Sequence, residues 1–191
     1  MPGACRGLGS VVAIGPKNRE IEVGIIGPDG MTGIAVVLGD QQTANKCFVQ
    51  IAGAASRISA DTLRDEMDKS PSLRGSFLLY VQAFILQTAH TALANGRGTV
   101  DQRLARWLLM SHDRVEGDEL PLTHEFLSLM LGVRRAGVTN ALTDLQDQGF
   151  IAAKRASVHV LDRAGLRRVA AELYGTPEAE QKRLTGWQGK H

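Results

Sequence analysis

Short apolar runs separated by turn residues fill the first third of the chain. The runs are residues 10–15, 21–26, 34–38 and 48–52. Glycine, proline and aspartate lie between them, and apolar runs of this length bounded by such residues are typical of short strands. We therefore predict four strands, followed by a short helix from Ala60 to Met67 with Ser59 as its N-cap.

A longer apolar pattern from Ser70 to Asn95 predicts a single long helix. Ser70 suits the N-cap position and Pro71 the first helical position. Apolar residues at three- and four-residue spacing form two stripes, so that one stripe can meet the strands and the other a second copy of the chain. The predicted dimerisation residues are Phe77, Tyr80, Val81, Phe84, Ile85 and Thr88. The alternative is a long helix buried within a monomer.

Glycines at positions 96 and 98 interrupt this pattern and predict a hinge. Thr99 and Gln102 then have the spacing of a capping box, which predicts a helix that continues to about Ser111. The following residues, 112–119, are polar and include a glycine, so we predict a loop there.

Two short helices and a hairpin are predicted in the last third of the chain. Thr123 is the predicted N-cap of the first helix, which runs to Leu131, and Gly132 turns the chain into the second. That helix ends at Gly149, and residues 150–161 predict a hairpin with a basic turn. Helix, glycine turn, helix and hairpin in this order are the elements of a winged helix-turn-helix.

The second helix of this pair presents a polar and basic surface. Its outward positions are Arg134, Arg135, Thr139, Asn140 and Thr143, and no acidic residue occurs between Phe126 and Thr143. Arginine can pair with guanine and asparagine with adenine, so this surface predicts DNA binding. We expect base contacts from Arg135, Thr139 and Asn140, and phosphate contacts from Thr123, Arg134, Lys154 and Arg155. The alternative is a common helical hairpin whose arginines are only solvated.

The overall composition sets limits on this interpretation. The chain has 191 residues, with 43% apolar and 22% charged, as in ordinary globular domains. The net charge is only +2, so a surface for nucleic acid has to be a local patch. Aromatic residues make up 5%, which argues against binding of single strands by stacking. No apolar run reaches about 18 residues, so we expect neither a membrane helix nor a signal peptide.

Few residues offer chemistry for a metal site or for catalysis. Cys5 and Cys47 are far apart in sequence, which argues against a disulfide framework or a zinc site and fits a cytoplasmic location. Residues 24–33 are rich in glycine but lack the Lys-Ser/Thr of a phosphate-binding loop. His90 and the His-Glu pair at 124–125 are acid–base candidates without a partner nucleophile. We therefore expect no enzymatic activity.

Most of the chain resembles one known family. Residues 120–166, LPLTHEFLSLMLGVRRAGVTNALTDLQDQGFIAAKRASVHVLDRAGL, resemble the DNA-binding domain of Crp/Fnr-type transcription regulators. The sequence VDQRLARWLLM at 100–110 resembles the segment that follows their dimerisation helix, and 70–95 resembles that helix. The first 69 residues resemble the later part of their cyclic-nucleotide-binding-like β-roll.

The resemblance implies an α+β fold with four parts. These are a partial β-roll sensor at 1–69, a long dimerisation helix at 70–96, a C-terminal winged helix-turn-helix at 97–174, and a polar tail at 175–191. The implied function is regulation of transcription by a homodimer that binds a palindromic operator in double-stranded DNA. RNA polymerase is a further candidate partner. The alternative is a module derived from such a regulator that dimerises or binds proteins without binding DNA.

The sensor departs from the members that bind cyclic nucleotides. Those members hold the ribose and the cyclic phosphate with a Gly-Glu motif and an Arg-Ser pair. Here Thr32 stands at the position of the acid, and no arginine occurs near 43–45. A buried phosphate without a cation is costly, so we expect no cyclic AMP and predict no cofactor. The iron–sulfur branch lacks its cysteine cluster here, whereas a haem-sensing role stays open with only Cys5 and Cys47 in this region.

Two further departures concern the strands and the recognition helix. The first strands of the β-roll have no counterpart, which fits a truncated relative, a shortened gene model or a protein with a reduced sensor. In a partial roll the strand edges must be covered or paired. The Arg-Glu-x-x-x-Arg pattern of the recognition helix is Arg135-Ala136 here, with Asn140 in place of the second arginine. The operator is therefore expected to differ from that of the family's prototype.

Overall fold

A computed structural model describes residues 7–190, so that Cys5 lies outside the described residues. Its helices and strands, in chain order, are β1 Leu8–Gly15, β2 Arg19–Ile26, α1 Ile34–Val37, β3 Lys46–Ile51, α2 Ala60–Lys69, α3 Pro71–Arg97, α4 Val100–His112, β4 Glu119–Leu120, α5 His124–Leu131, α6 Arg135–Asp147, β5 Ile151–Lys154, β6 Ser157–Val160, α7 Arg163–Ala170 and α8 Thr176–Thr185. The predicted α+β class is confirmed.

The N-terminal sheet is antiparallel, with β1 between β2 and β3. Successive side chains of a strand point to opposite faces, and both faces of β1 are covered. On one face Val11 and Ile26 pack against Phe84 of α3. On the other face Leu8 and Ile25 pack against Met110 of α4. The sheet therefore lies between the long helix and the C-terminal domain.

Aromatic side chains reinforce the contact between the sheet and the C-terminal domain. The rings of Phe48 on β3 and Phe126 on α5 meet edge to face, with centroids 5.8 Å apart. Phe126 also contacts Trp107 of α4 at 6.5 Å. Val12 is fully buried within the core of the C-terminal domain. This domain therefore covers a sheet face that would otherwise expose apolar side chains to water.

Residues 34–38 form a helical turn instead of the predicted strand. Gly33 adopts a left-handed conformation before it, and the amide of Leu38 donates to the carbonyls of Ile34 and Ala35. A short apolar run does not distinguish a strand from a buried helical turn, and tertiary packing decides here. Val37 packs into the cluster formed by α2 and α3.

The long helix α3 begins and ends close to its predicted limits. The Ser70 hydroxyl accepts a hydrogen bond from the Leu73 amide, and Pro71 is its first residue. The predicted dimerisation residues, however, lie on different sides. Tyr80, Val81 and Phe84 are buried within their own subunit, and Phe77 packs against the α1–α2 cluster. The prediction that these four residues form the dimer contact is therefore wrong, because the sheet, α1 and α2 occupy that side of the helix.

The opposite side of α3 is open in the single chain. Ile85 is 50% exposed, whereas Thr88 is half-buried and donates to the Phe84 carbonyl. One row of exposed positions follows four- and three-residue steps and comprises Leu78, Gln82, Ile85, Ala89, Ala92 and Gly96. We call this row the open seam. Its spacing is that of a coiled-coil contact.

By length and composition alone, α3 is apolar enough to cross a membrane, a test that buried core helices also pass. One third of its most apolar 18-residue window, 33%, is buried in the subunit. Two polar side chains also anchor it. Gln87 accepts from the Ile25 amide at 2.7 Å, and the Tyr80 hydroxyl donates to the Met31 carbonyl at 3.0 Å.

The C-terminal domain is built on α4, which begins with the predicted capping box. Thr99 accepts from the Gln102 amide, and the Gln102 side chain accepts from the Thr99 amide. Its core joins α4 with α5, α6, α7 and the sheet of β4, β6 and β5. Helix α7 ends at Ala170, and a 3-10 turn at Ala171–Leu173 follows.

The residues predicted to form a polar tail instead contain α8. This helix packs along α3, and Pro177 and Gln181 are buried. Glu178 accepts a hydrogen bond from the Gly175 amide and so caps the helix start. The polar composition concealed a helix whose stability depends on distant contacts.

Candidate nucleic-acid interface

The turn between α5 and α6 fixes the entry to the candidate DNA-reading helix. The Thr123 hydroxyl caps α5 by accepting from the Phe126 amide at 3.2 Å. Gly132 ends α5 in a left-handed conformation, with a φ of 60°. Arg134 is extended and is the N-cap of α6, which begins at Arg135. Both helix starts are therefore where the sequence predicted them.

Helix α6 separates its buried and exposed positions cleanly. Val138, Ala141, Leu142 and Leu145 are buried in the domain core. Five exposed residues at its start and along one side are called the recognition face, namely Arg134, Arg135, Thr139, Asn140 and Thr143. Ala136, Asp144, Gln146 and Asp147 of α6 are also exposed and lie outside this set. Neither Arg134 nor Arg135 forms an ion pair within residues 7–190, so both guanidinium groups are free to contact an anion.

Two threonines on the recognition face are held in defined orientations. The Thr139 hydroxyl donates to the Arg135 carbonyl at 3.1 Å, and the Thr143 hydroxyl donates to the Thr139 carbonyl at 3.0 Å. The Nδ1 atom of His124 lies 3.2 Å from the Thr139 hydroxyl oxygen. The first helix of the pair thus helps to orient a residue of the second.

The hairpin of β5 and β6, which we call the wing, places two cations beside the recognition face. Lys154 pairs with Ser157, and Arg155 lies in the tight turn between the strands. Both basic side chains are exposed. The Gln146 side chain accepts from the Ala153 amide at 2.9 Å and so connects α6 to the wing. A groove separates the recognition face from the wing. It is lined by His124, Thr139, Leu142, Thr143, Gln146, Ala153, Lys154 and Arg155.

Sequence reasoning overlooked two residues of this surface, His124 and Gln146. From the sequence, His124 is only an acid–base candidate, and Gln146 is assigned no role. Gln146 follows Thr139 and Thr143 at helical spacing, so the period of the helix could have identified it. The role of His124 depends on the crossing of two helices and has no comparable signal in the sequence.

A buried carboxyl lies where the N-terminal sheet meets the C-terminal domain. Glu22 of β2 is 4% exposed, and one of its oxygens accepts from the Trp107 indole N–H at 2.6 Å. Its other oxygen has no hydrogen-bond partner among the described residues. Burial raises the pKa of Glu22 to about 8, although Ser10, Trp107, Arg106 and Arg114 favour the charged form.

A cavity of about 110 Å³ lies between the N-terminal sheet, α1 and α3. Val11, Ile26 and Phe84 form part of its apolar lining, and Thr32 borders it. Lys46 is the only lysine or arginine among the described residues that line it, and its ammonium group lies 2.6 Å from Glu20. Within residues 7–190, no cluster of three or more His, Cys, Asp or Glu side chains could hold a metal ion.

Residues 102–169 match the family model described as the Crp-like helix-turn-helix domain. This part of the chain is therefore a Crp-like helix-turn-helix domain. The matched residues include α5, α6 and the wing, and therefore the whole recognition face. A search of curated proteins finds no match to this chain.

Solved structures of Crp/Fnr-type proteins share the fold over most of the chain. TTHB099, a CRP-family transcriptional regulator from Thermus thermophilus, is 22% identical with a TM-score of 0.70, and the match covers 86% of this chain and 84% of that one. FixK2 from Bradyrhizobium japonicum is 16% identical with a TM-score of 0.69, covering 87% and 84%. The similarity therefore includes the N-terminal sheet and α3 as well as the C-terminal domain.

Proposed function

We propose that this chain regulates transcription by binding a palindromic operator in double-stranded DNA as a homodimer. The observation that carries the proposal is the recognition face, which is exposed and contains no acidic residue. The basic wing lies beside it, across a groove. A Crp-like domain with this surface is suited to a nucleic acid, in which phosphates are the dominant charges.

The proposed contacts divide into base reading and phosphate binding. Helix α6 enters the major groove with its first turns, where Arg135 donates two hydrogen bonds to a guanine. Thr139 and Asn140 contact neighbouring base edges. Phosphates are contacted by Thr123, Arg134, Lys154 and Arg155. Three of these four residues are cations, so a dimer neutralises six phosphates. The logarithm of its binding constant should therefore fall with the logarithm of the salt concentration at a slope of roughly −5.

The proposed dimer uses the open seam of α3. The seam combines Leu78 and Ile85 with small residues toward the helix end, and small residues allow two helices to approach closely. Pairing of two copies buries apolar side chains that the single chain exposes. A two-fold axis along this contact gives two recognition helices, which bind half-sites about 34 Å apart on one face of the duplex. We further infer that the protein acts in the cytoplasm, with RNA polymerase as a partner.

We also infer that the N-terminal cavity does not bind cyclic AMP. Lys46 is already paired with Glu20, and Thr32 carries no charge, so a cyclic phosphate would be desolvated without a free cation. The expected result is an unchanged midpoint of thermal unfolding when cyclic AMP is added. A rise of several degrees would contradict the inference, because a ligand that binds the folded state stabilises it.

The test of the proposed function is selection of bound sequences from a random duplex pool at two salt concentrations. Wild type, Arg135→Ala and Arg97→Ala are compared, since Arg97 is exposed at the end of α3 and belongs neither to the recognition face nor to the wing. We expect wild type and Arg97→Ala to enrich the same palindrome, and Arg135→Ala to lose preference at one base pair in each half-site. A folded dimer that enriches no sequence would instead support the alternative of a protein-interaction module.

A further inference from the structure

Three polar residues from distant parts of the chain meet in one buried cluster. Asp29 lies in the turn after β2, Arg114 lies just after α4, and Gln181 lies on α8. The Arg114 guanidinium is 2.8 Å from the Asp29 carboxylate, and their side chains are only 1% and 2% exposed. Gln181 donates to Asp29 and accepts from Arg114 at 3.1 Å, so it connects both charged groups.

The remaining groups of this cluster are also paired. Asp29 accepts from the Gly27 amide at 2.9 Å, and Arg114 donates to the Met110 carbonyl at 3.0 Å. The Trp187 ring stacks on the Arg114 guanidinium, 4.9 Å from its centroid. A buried ion pair is stable only when its geometry satisfies both charges. The cluster therefore allows very few relative positions of the elements that supply it.

Residues 175–190, which we call the strap, contact three parts of the protein at once. Helix α8 lies along α3, which carries the open seam. Gln181 reaches the N-terminal turn at Asp29. Near its end, the strap accepts a hydrogen bond at the Lys190 carbonyl from Arg163 of α7, at 2.8 Å. The strap therefore connects the dimerisation helix, the N-terminal sheet and the C-terminal domain.

We propose that the strap, through Gln181 and Trp187, holds the C-terminal domain at a fixed orientation on α3 and so sets the half-site spacing that the dimer accepts. This inference rests on the proposed function. In a dimer joined by α3, the distance between the two recognition helices depends on how each C-terminal domain sits on that helix. Gln181 and Trp187 are positioning residues, because they act on DNA through Arg114 and not by contact with it.

The cluster also adjoins the N-terminal cavity. Asp29 precedes Met31 by two residues, and residues 31–36 line the cavity. The Met31 carbonyl is itself held by the Tyr80 hydroxyl of α3. A change in this segment would therefore move Asp29 against Arg114.

The experiment measures binding to duplexes with two copies of the selected half-site, whose separation is changed in steps of one base pair. The proteins are wild type, Gln181→Leu, Trp187→Ala and the control Arg183→Gln. Arg183 is exposed on α8, and among residues 7–190 it pairs only with Glu180 of the same helix. Trp187→Ala removes the stacked ring without leaving a buried hydrogen-bonding group unpaired. It therefore provides a second test if Gln181→Leu fails to fold. Circular dichroism and thermal unfolding check each protein.

We expect wild type and Arg183→Gln to prefer the same single spacing. Gln181→Leu and Trp187→Ala should lose about threefold to tenfold of that preference, as expected for the loss of one or two polar contacts, and keep their affinity for an isolated half-site. Folded variants with the wild-type spacing preference would overturn the role of the strap. If wild type binds no duplex, the proposed function fails instead, and the two failures are therefore distinguishable.

Discussion

The recognition face and the buried cluster under the strap both centre on arginine, but they place it in opposite surroundings. Arg135 is exposed on α6 and has no ion pair among the described residues. Arg114 is buried, with a carboxylate, an amide and an aromatic ring around its guanidinium. An arginine that keeps its charge free can bind an outside anion, whereas one whose charge is fully paired fixes internal geometry.

The largest effect is expected from Arg114→Met, which leaves Asp29 buried without its cation. Loss of one partner of a buried pair typically destabilises a protein by about 3–5 kcal/mol. The free energy of unfolding, measured in urea, should fall by this amount. The double variant Arg114→Met with Asp29→Leu should recover most of the loss. A decrease below about 1 kcal/mol for the single variant would show that the pair does not hold the elements together.

In contrast to Arg114→Met, Arg135→Ala should weaken DNA binding and leave the free energy of unfolding almost unchanged. Its DNA affinity should fall by about 1–3 kcal/mol for each half-site, with relaxed preference at one base pair. Its free energy of unfolding should change by less than about 0.5 kcal/mol, because an exposed side chain without partners is removed. Fluorescence anisotropy with the selected duplex measures the first quantity and urea unfolding the second. A large loss of stability would mean that Arg135 has an internal role.

Glu22 extends the comparison to a buried carboxyl that forms no ion pair among the described residues. Its folded pKa is about 8 against a usual value of 4.5, so the folded protein keeps a proton that the unfolded chain releases. The contribution to stability is fully present below pH 4.5, declines as pH rises and is gone above about pH 8. The free energy of unfolding of Glu22→Gln, relative to that of wild type, should therefore rise by up to about 1.4 kcal/mol for each pH unit within this window. If the free energies of unfolding of the two proteins change with pH in parallel, Glu22 is not a neutral carboxyl in the folded protein.

The smallest effects are expected at the wing. Arg155→Ala and Lys154→Ala should each weaken binding to all duplexes alike and make the salt slope of a dimer shallower by about two. Lys182→Ala is the matched control, because Lys182 is an exposed cation on α8 and belongs neither to the recognition face nor to the wing. Loss of base preference in either wing variant would assign the wing to base reading and not to phosphate binding.

Local signals explain why the C-terminal domain could be predicted so closely. Thr99, Thr123 and Gly132 determine helix ends through contacts within a few residues, and these contacts have clear patterns in the sequence. The residues of the recognition face could be predicted because exposed and buried positions alternate with the period of a helix. Its residues are exposed as predicted, and their contacts with DNA stay a prediction.

The elements that were predicted wrongly depend on contacts between distant residues. Residues 34–38 form a helical turn because α2 and α3 pack against it, and the apolar run alone fits a strand equally well. Both sides of α3 are apolar, so only the presence of the sheet shows that Tyr80 and Phe84 face inward. Arg114 lay within a predicted polar loop and Gln181 within a predicted tail. Their ion pair and hydrogen bonds join residues too far apart for any local pattern to indicate them.

The most direct test of the central claim is a binding titration with the selected palindrome and with a duplex in which both half-sites are scrambled. Wild type and Arg97→Ala should bind the palindrome at least about a thousandfold more tightly than the scrambled duplex. Arg135→Ala should lose most of this ratio while remaining a folded dimer. Equal affinity of the wild-type dimer for the two duplexes would contradict a sequence-specific reader of DNA.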